Sequence, residues 1–212
     1  AFVERRFAAY QAWWEHQPTR LPAPDSADYT IYRSFQWGTL ASFFVLDTRQ
    51  YRADKACGDA ILQLTPACPQ VFEPGRTLLG EAQEAWLFDQ MDAATTIWNV
   101  IAQQIVMTDA TVSGAVLNHD QWDGYPEARD RLLGHIADSG RTNTVVITGD
   151  IHLAAVGDLK TGAARTVVGT ELVGTSISSQ GNLPEGSDDL LANFPDVKYA
   201  DANSRGWTRC TV

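Results

Sequence analysis

The stretch Val145–His152, Val-Val-Ile-Thr-Gly-Asp-Ile-His, constrains this chain more than any other. An apolar, largely β-branched run ends in a glycine, and a carboxylate and an imidazole come after it, two residues apart. The run predicts a buried strand that delivers Asp150 and His152 to its carboxyl end, where open α/β sheets keep their ligand sites. Gly149 lets a second backbone or an ion approach closely. A carboxylate with an imidazole suits a hard or borderline divalent or trivalent metal. A strand that simply ends in a turn, with Asp150 as a cap on the next segment, accounts for the same residues. From this octapeptide alone both readings stay open.

The flanking elements predict a layered α/β architecture. Phe2, Phe7, Tyr10, Trp13 and Trp14 form one aromatic face of a helix over 2–16, expected to be core packing, and Pro18 stops it. Residues 29–46 read as a hairpin turned at Trp37-Gly38, which runs into Asp47-Thr48-Arg49-Gln50-Tyr51-Arg52. A helix is predicted over Ala82–Ala94 and a buried strand over Ile97–Ile101, with the amides of Gln103 and Gln104 at its end. Such amides need partners, so they hold a neighbouring loop or line a site. The loop Asn118–Pro126 is dense in aromatic, acidic and amide side chains, and a helix over Glu127–Ser139 leads into the strand at 145. Leu153–Leu159 reads as a helix or a strand, expected to pair with Thr166–Val168. Thr170–Val173 is expected as a separate strand ending in the hydroxyl-rich loop 174–181. Leu190–Phe194 reads as a helix tail, and Val197–Tyr199 and Trp207–Val212 as late strands.

Composition removes several function classes. With 212 residues the chain can bury a sizeable core, and one large domain, or part of one, is the expectation. A net charge of −10 argues against a general binder of nucleic-acid backbones. It leaves room for a small phosphorylated substrate, because a metal supplies positive charge locally. No apolar run is long enough to span a bilayer. The chain starts without Met inside a helical pattern and stops in a strand-like run, so a fragment truncated at both ends is expected. Cys57 and Cys68 flank a glycine- and proline-containing loop, and a disulfide between them is favoured over two free thiols.

Other chemistries are weaker. The run Gly174-Thr175-Ser176-Ile177-Ser178 lacks the final glycine of a nucleophile elbow, which disfavours a serine hydrolase using Ser176 or Ser178. Neither a P-loop nor a Gly-x-Gly-x-x-Gly fingerprint is present. His16 and His135 read as ordinary helix histidines, and His119 as a candidate substrate contact. Arg49 and Arg52 could grip an oxyanion or hold a loop by ion pairs. Two ligands do not complete a hydrolytic metal centre, which takes at least three protein ligands per metal. The residues alone therefore reach a metal half-site on an α/β sheet.

Seven stretches in order resemble one family. They are Arg6–His16 with Pro18 after it, Leu46–Arg52, Thr77–Leu87, Trp98–Gln104, Trp122–Arg129, Val146–His152 and Glu171–Ser179. Together they resemble the alkaline phosphatase D, or PhoD-like, metallophosphoesterases. The resemblance implies a four-layer α/β/β/α sandwich of which residues 1–212 form the C-terminal portion. It also implies a metal-bridged centre, usually of iron and calcium, and hydrolysis of phosphate monoesters or diesters. Candidate partners are small phosphate esters or cell-wall and phospholipid-type phosphodiesters, in an extracellular or periplasmic setting. Carried over residue by residue, Asp150 and His152 become catalytic metal ligands. Asp123 is expected near metals or substrate, and Trp122 and Tyr125 as a pocket wall. Ser176 and Ser178 are expected at the cleft floor, with Arg49 as substrate contact or loop support.

This sequence departs from the family in one respect. The family's other ligands lie in a Gly-Asp-x-x-Tyr type and a Trp-Asp-Asp-His-Glu type segment, and neither occurs here. The chain is therefore expected to be inactive until an N-terminal part of the same domain completes the site. A non-catalytic α/β module that binds a ligand or partner through loop 118–126 is the competing expectation.

Overall fold

The computed structural model describes residues 2–58, 64–181, 187 and 193–211, and the chain divides into two compact units, Ala1–Arg33 and Ser34–Val212. In the first, α1 spans Phe2–His16 as the periodicity predicts, yet none of its residues is fully buried. Two rings of the aromatic stripe pack on Tyr29, which lies 5.5 Å from Tyr10 and 6.5 Å from Trp13, ring to ring. The connector folds back because the Trp14 indole donates to the Leu21 carbonyl at 2.8 Å and the Tyr29 hydroxyl to that of Pro22 at 2.5 Å.

The second unit is a mixed α/β structure. Its main elements are β1 (Arg33–Trp37), β2 (Ala41–Val45), α2 (Glu81–Ala93), β4 (Trp98–Ala102), α3 (Pro126–Asp138), β7 (Thr144–Thr148), β8 (Ala154–Thr161), β9 (Thr166–Val173) and β10 (Val197–Asp201). A smaller set comprises β3 (Thr65–Pro66), β5 (Thr111–Val112) and β6 (Ala115–Val116). Seven strands form one sheet in the order β1-β2-β4-β7-β9-β8-β10. Strands β2, β4, β7 and β9 run parallel, so their carboxyl ends share one edge, while β8 runs antiparallel to both β9 and β10. The expected 29–46 hairpin is β1-β2, turning through Gly38 at φ +54°.

Register explains which face is core. Phe44, Ile101, Val146, Glu171 and Gly157 stand opposite one another across five strands, and all five are buried. Leu87 and Met91 of α2 and Leu132, Leu133 and Ile136 of α3 join the apolar members of this row in one core cluster. The spacing of those residues puts them on one side of each helix. The opposite row, Val45, Ala102, Ile147, Leu172 and Val156, is also apolar but only half-buried, and Ile147 is 36% exposed.

Three expectations change. Thr166–Val168 and Thr170–Val173 belong to one eight-residue strand, because Gly169 continues the pairing with Leu159. Residues 207–211 form no strand. Of the expected helix tail, 190–192 lie outside the described residues and Phe194 is a bend.

The small sheet β3-β6-β5 is tied down by the Cys57–Cys68 disulfide, the bond favoured from sequence. Beside it the His119 ring, 2% exposed, meets the Thr65 hydroxyl through Nε2 at 3.1 Å, and its Nδ1 has no hydrogen-bond partner. Burial pushes the His119 pKa below 6.5, outweighing the pull of Asp123 in the other direction. Unfolded, this residue takes up its proton near pH 6.5. Its contribution to stability is therefore present above pH ~6.5 and is lost as pH falls through the depressed folded value. Thermal melts between pH ~7 and ~5 should show this loss, and His119→Gln, which can still bond Thr65, should flatten it. Gly124 is a steric constraint of another kind: a Cβ there would stand 2.0 Å from the His119 carbonyl oxygen. Gly124→Ala should cost about 2–3 kcal/mol in denaturant unfolding, since backbone cannot give way cheaply.

Candidate functional site

The parallel strands deliver four segments to one edge: Asp47–Arg49 after β2, Gln103-Gln104 after β4, Gly149–His152 after β7 and 174–181 after β9. The turn after β7 is anchored by two backbone bonds, Gly174 N–H to the Thr148 carbonyl at 2.8 Å and Ile151 N–H to the Gly149 carbonyl at 2.9 Å. Within it Asp150 and His152 both adopt left-handed conformations, φ +72° and +58°. Such conformations cost roughly 1–2 kcal/mol each in residues with a Cβ. Strain of this kind persists where the surrounding structure enforces it, and it clusters at functional sites.

The enforcement is visible in the side chains. Gln121 Nε2 donates to Asp150 Oδ2 at 2.9 Å, and Asp150 Oδ1 lies 3.7 Å from Arg49 Nη2. His152 Nδ1 is 3.0 Å from the Gln180 carbonyl. A carbonyl only accepts, so Nδ1 carries the proton, and in the neutral ring Nε2 keeps its lone pair. A histidine held through one nitrogen with the other free has the form of a metal ligand. The donor set, one carboxylate and one imidazole, fits iron, while a carboxylate oxygen also suits calcium. Among the described residues no group of three or more His, Cys, Asp or Glu side chains could hold a metal ion. Asp150 and His152 therefore offer part of a centre.

Arg49 reaches this edge because its neighbours are fixed. The Asp47 carboxylate accepts the Arg49 and Gln50 N–H groups at 2.9 and 3.0 Å, and Gln104 Oε1 accepts from Thr48 N–H and hydroxyl at 2.9 and 2.6 Å. Gln103 in turn accepts from the Trp122 indole at 3.0 Å and donates to the Thr148 hydroxyl at 2.8 Å. Both amides thus hold loops. Asp120 receives Arg49 Nη1 at 2.7 Å and Arg52 Nη1 at 2.8 Å. Burial alone would raise the Asp120 pKa, but the two guanidiniums hold it below the usual value.

Other predicted residues are placed differently. Trp122 and Tyr125, expected as a pocket wall, are completely enclosed members of the hydrophobic core, and the Tyr125 hydroxyl donates to the Ala53 carbonyl at 2.7 Å. Their rings pack the loop onto the sheet instead of facing a ligand. Asp123, expected near metal or substrate, is 5% exposed, pairs with Arg129 and accepts from Ala110 N–H at 3.0 Å. Burial pushes its carboxyl up, and Arg129 opposes that shift. Its contacts make it a structural anchor. His119 is enclosed beside the small sheet, so it too is not presented to a substrate. Ser176 lies in the loop after β9 with its hydroxyl donating to the Ser179 carbonyl at 2.8 Å, and Ser178 is exposed in the same loop. Asp120 and Gln121 were not singled out in the sequence. The density of polar residues in 118–126 marked the loop, but nothing local says which members reach Arg49 and Asp150.

The chain has known relatives in both sequence and fold. The sequence matches the PhoD-like phosphatase family over residues 1–212. It is 42% identical to alkaline phosphatase D of Bacillus subtilis (strain 168) over 222 residues, taking in 100% of this chain and 37% of that protein. A solved structure of PhoD superposes with a TM-score of 0.87 at 40% identity, over 97% of this chain and 41% of the other. The chain thus spans about two fifths of the length of these relatives. With every residue inside the family match and a solved PhoD structure superposing on 97% of the chain, the chain belongs to the PhoD-like phosphatase family.

Proposed function

We propose that this chain is the C-terminal portion of a metal-dependent phosphoesterase domain that hydrolyses phosphate monoesters or diesters. The observation that carries it is the Gly149–His152 turn: two strained residues, each held from behind, with a carboxylate oxygen that faces Arg49 beyond hydrogen-bond range and an imidazole nitrogen turned away from its anchoring bond. Asp150 and His152 would hold the metal. Bound there, the metal would supply activation of an attacking water and neutralisation of charge on the phosphoryl group. The chain's own residues do the positioning. Gln180 and Gln121 set the orientation of the two ligands. The Nη2 end of Arg49, beyond hydrogen-bond range of Asp150, is available to a phosphoryl oxygen. The 174–181 loop, with Ser176 and Ser178, borders the same edge.

Iron and calcium are the metals we propose, from the family resemblance and the donor set. The remaining ligands would come from an N-terminal part of the same domain. Two observations support that: the half-exposed apolar row on the sheet face opposite the helix-packed row, and a length about two fifths that of the relatives. The Cys57–Cys68 disulfide supports an extracellular or periplasmic setting, because such bonds persist in oxidising compartments. Among the described residues no helix is long and apolar enough to cross a membrane. A binding module working through loop 118–126 is less well supported, since the large aromatic rings of that loop are enclosed.

In the full-length protein, Asp150→Asn and His152→Ala should each lower hydrolysis of p-nitrophenyl phosphate by more than about 100-fold and reduce bound metal in elemental analysis. Residues 1–212 alone should be inactive towards p-nitrophenyl phosphate and its bis ester, and gain activity when the upstream segment is added. Robust hydrolysis by the isolated chain that His152→Ala abolishes would refute the missing-ligand account.

A further inference from the structure

Asp120 and Gln121 are adjacent in the chain, and their side chains end on two different components of the site. Asp120 Oδ2 holds Arg49 Nη1 at 2.7 Å, and Gln121 Nε2 holds Asp150 Oδ2 at 2.9 Å. Arg49 Nη2 and Asp150 Oδ1 face each other at 3.7 Å. The four side chains thus close a ring through the 120–121 peptide bond.

That ring rests on a rigid support. Asn118 Oδ1 accepts the Asp120 N–H at 2.9 Å, and the Asn118 carbonyl accepts that of Gln121 at 3.2 Å. Val106 clamps the next step from both sides: its N–H donates to Gln121 Oε1 at 2.5 Å, and its carbonyl accepts the Trp122 N–H at 3.1 Å. The fully buried Trp122 indole then pins the loop to Gln103. Neither Asp120 nor Gln121 can drift without breaking bonds on both sides.

We propose that Asp120 and Gln121 act as a positioning pair, setting the anion-binding guanidinium of Arg49 and the metal-binding carboxylate of Asp150 in fixed register. The proposal rests on the metal-centre reading of Asp150 and His152. A neutral amide on Oδ2 occupies one oxygen of Asp150 without adding charge, so the carboxylate offers Oδ1 with its rotation already restricted. Asp120 does the corresponding work for Arg49. It occupies Nη1 and, with Arg52 on its other oxygen at 2.8 Å, holds the guanidinium by one end. The Nη2 end, too far from Asp150 for a hydrogen bond, keeps its donors for a phosphoryl oxygen. One residue serves the metal and its neighbour serves the anion, so the two effects are separable.

The test is made in the full-length protein with calcium, iron and inorganic phosphate as probes. Gln121→Glu retains an acceptor for Val106 N–H and removes the donor to Asp150. It should raise the half-saturating concentration of calcium or iron by about 10-fold, while inhibition by inorganic phosphate at saturating metal changes less than about threefold. Asp120→Ala should leave bound iron and calcium unchanged. It should raise both the inhibition constant of inorganic phosphate and the KM for p-nitrophenyl phosphate by about 10-fold, with kcat within about threefold. Asp120→Asn, which preserves the shape of the residue, should shift in the same direction by less. Metal and phosphate affinities that fall together in both variants, or that do not fall in either, overturn the pair. If His152→Ala leaves bound metal untouched, the metal-centre reading fails first. If His152→Ala strips the metal and Gln121→Glu does not weaken it, only the positioning pair fails.

Discussion

Glu171 is a carboxylate with no exposed surface, set between Val146 and Gly157 in the row of side chains that faces the helices. Burial pushes its pKa up, and the donors around it oppose that shift. It accepts the N–H groups of Met107, at 2.9 and 3.0 Å, and Thr108 at 2.7 Å, the Thr148 hydroxyl at 2.5 Å and the Gln103 amide at 3.3 Å. The chain beyond β4 crosses the face of the sheet here, and its backbone donors need acceptors that an apolar row cannot provide. Gly157, beside Glu171 on the next strand but one from β7, leaves room for the crossing, since a Cβ there would stand 2.3 Å from the Thr108 hydroxyl. A polar residue in the core is thus the condition for routing a loop over it.

The site inherits its order from that crossing. Thr148, two residues before Asp150, is bound to Glu171 directly, and Trp122, next to Gln121, is bound to it through Gln103. The strand end that carries Asp150 and the loop that contacts it are therefore fixed to one buried group. Two left-handed residues persist in the Gly149–His152 turn because their surroundings are determined this closely.

The two faces of the sheet differ in what they ask of the rest of a protein. One is sealed by α2 and α3 into a core of aromatic and aliphatic side chains. The other carries an apolar row that is only half-buried, with Ile147 36% exposed. Alternation along each strand makes both rows, and the row facing α2 and α3 is the more deeply buried.

Much of this was legible in the residues. The periodicity of 2–16, 82–94 and 127–139 located the helices, and the β-branched run at 145–148 located the central strand. Gly-Asp-Ile-His after that run marked its end as the candidate site, because a small residue with a carboxylate and an imidazole after it is a local pattern. What the sequence could not decide was orientation. Trp122, Tyr125, His119 and Asp123 have the composition of a binding loop, yet all four are buried: the Trp122 and Tyr125 rings join the hydrophobic core, Asp123 pairs with Arg129, and His119 meets Thr65. Asp120 and Gln121 looked ordinary and became the residues that hold Arg49 and Asp150, separated from them by 71 and 29 positions. The sequence by itself determined the three helices, the central strand, the disulfide-bonded pair and the two residues offered at that strand's edge. Only the tertiary structure decided which neighbours orient them, because contacts between distant segments depend on strand order and register, and no local pattern encodes these.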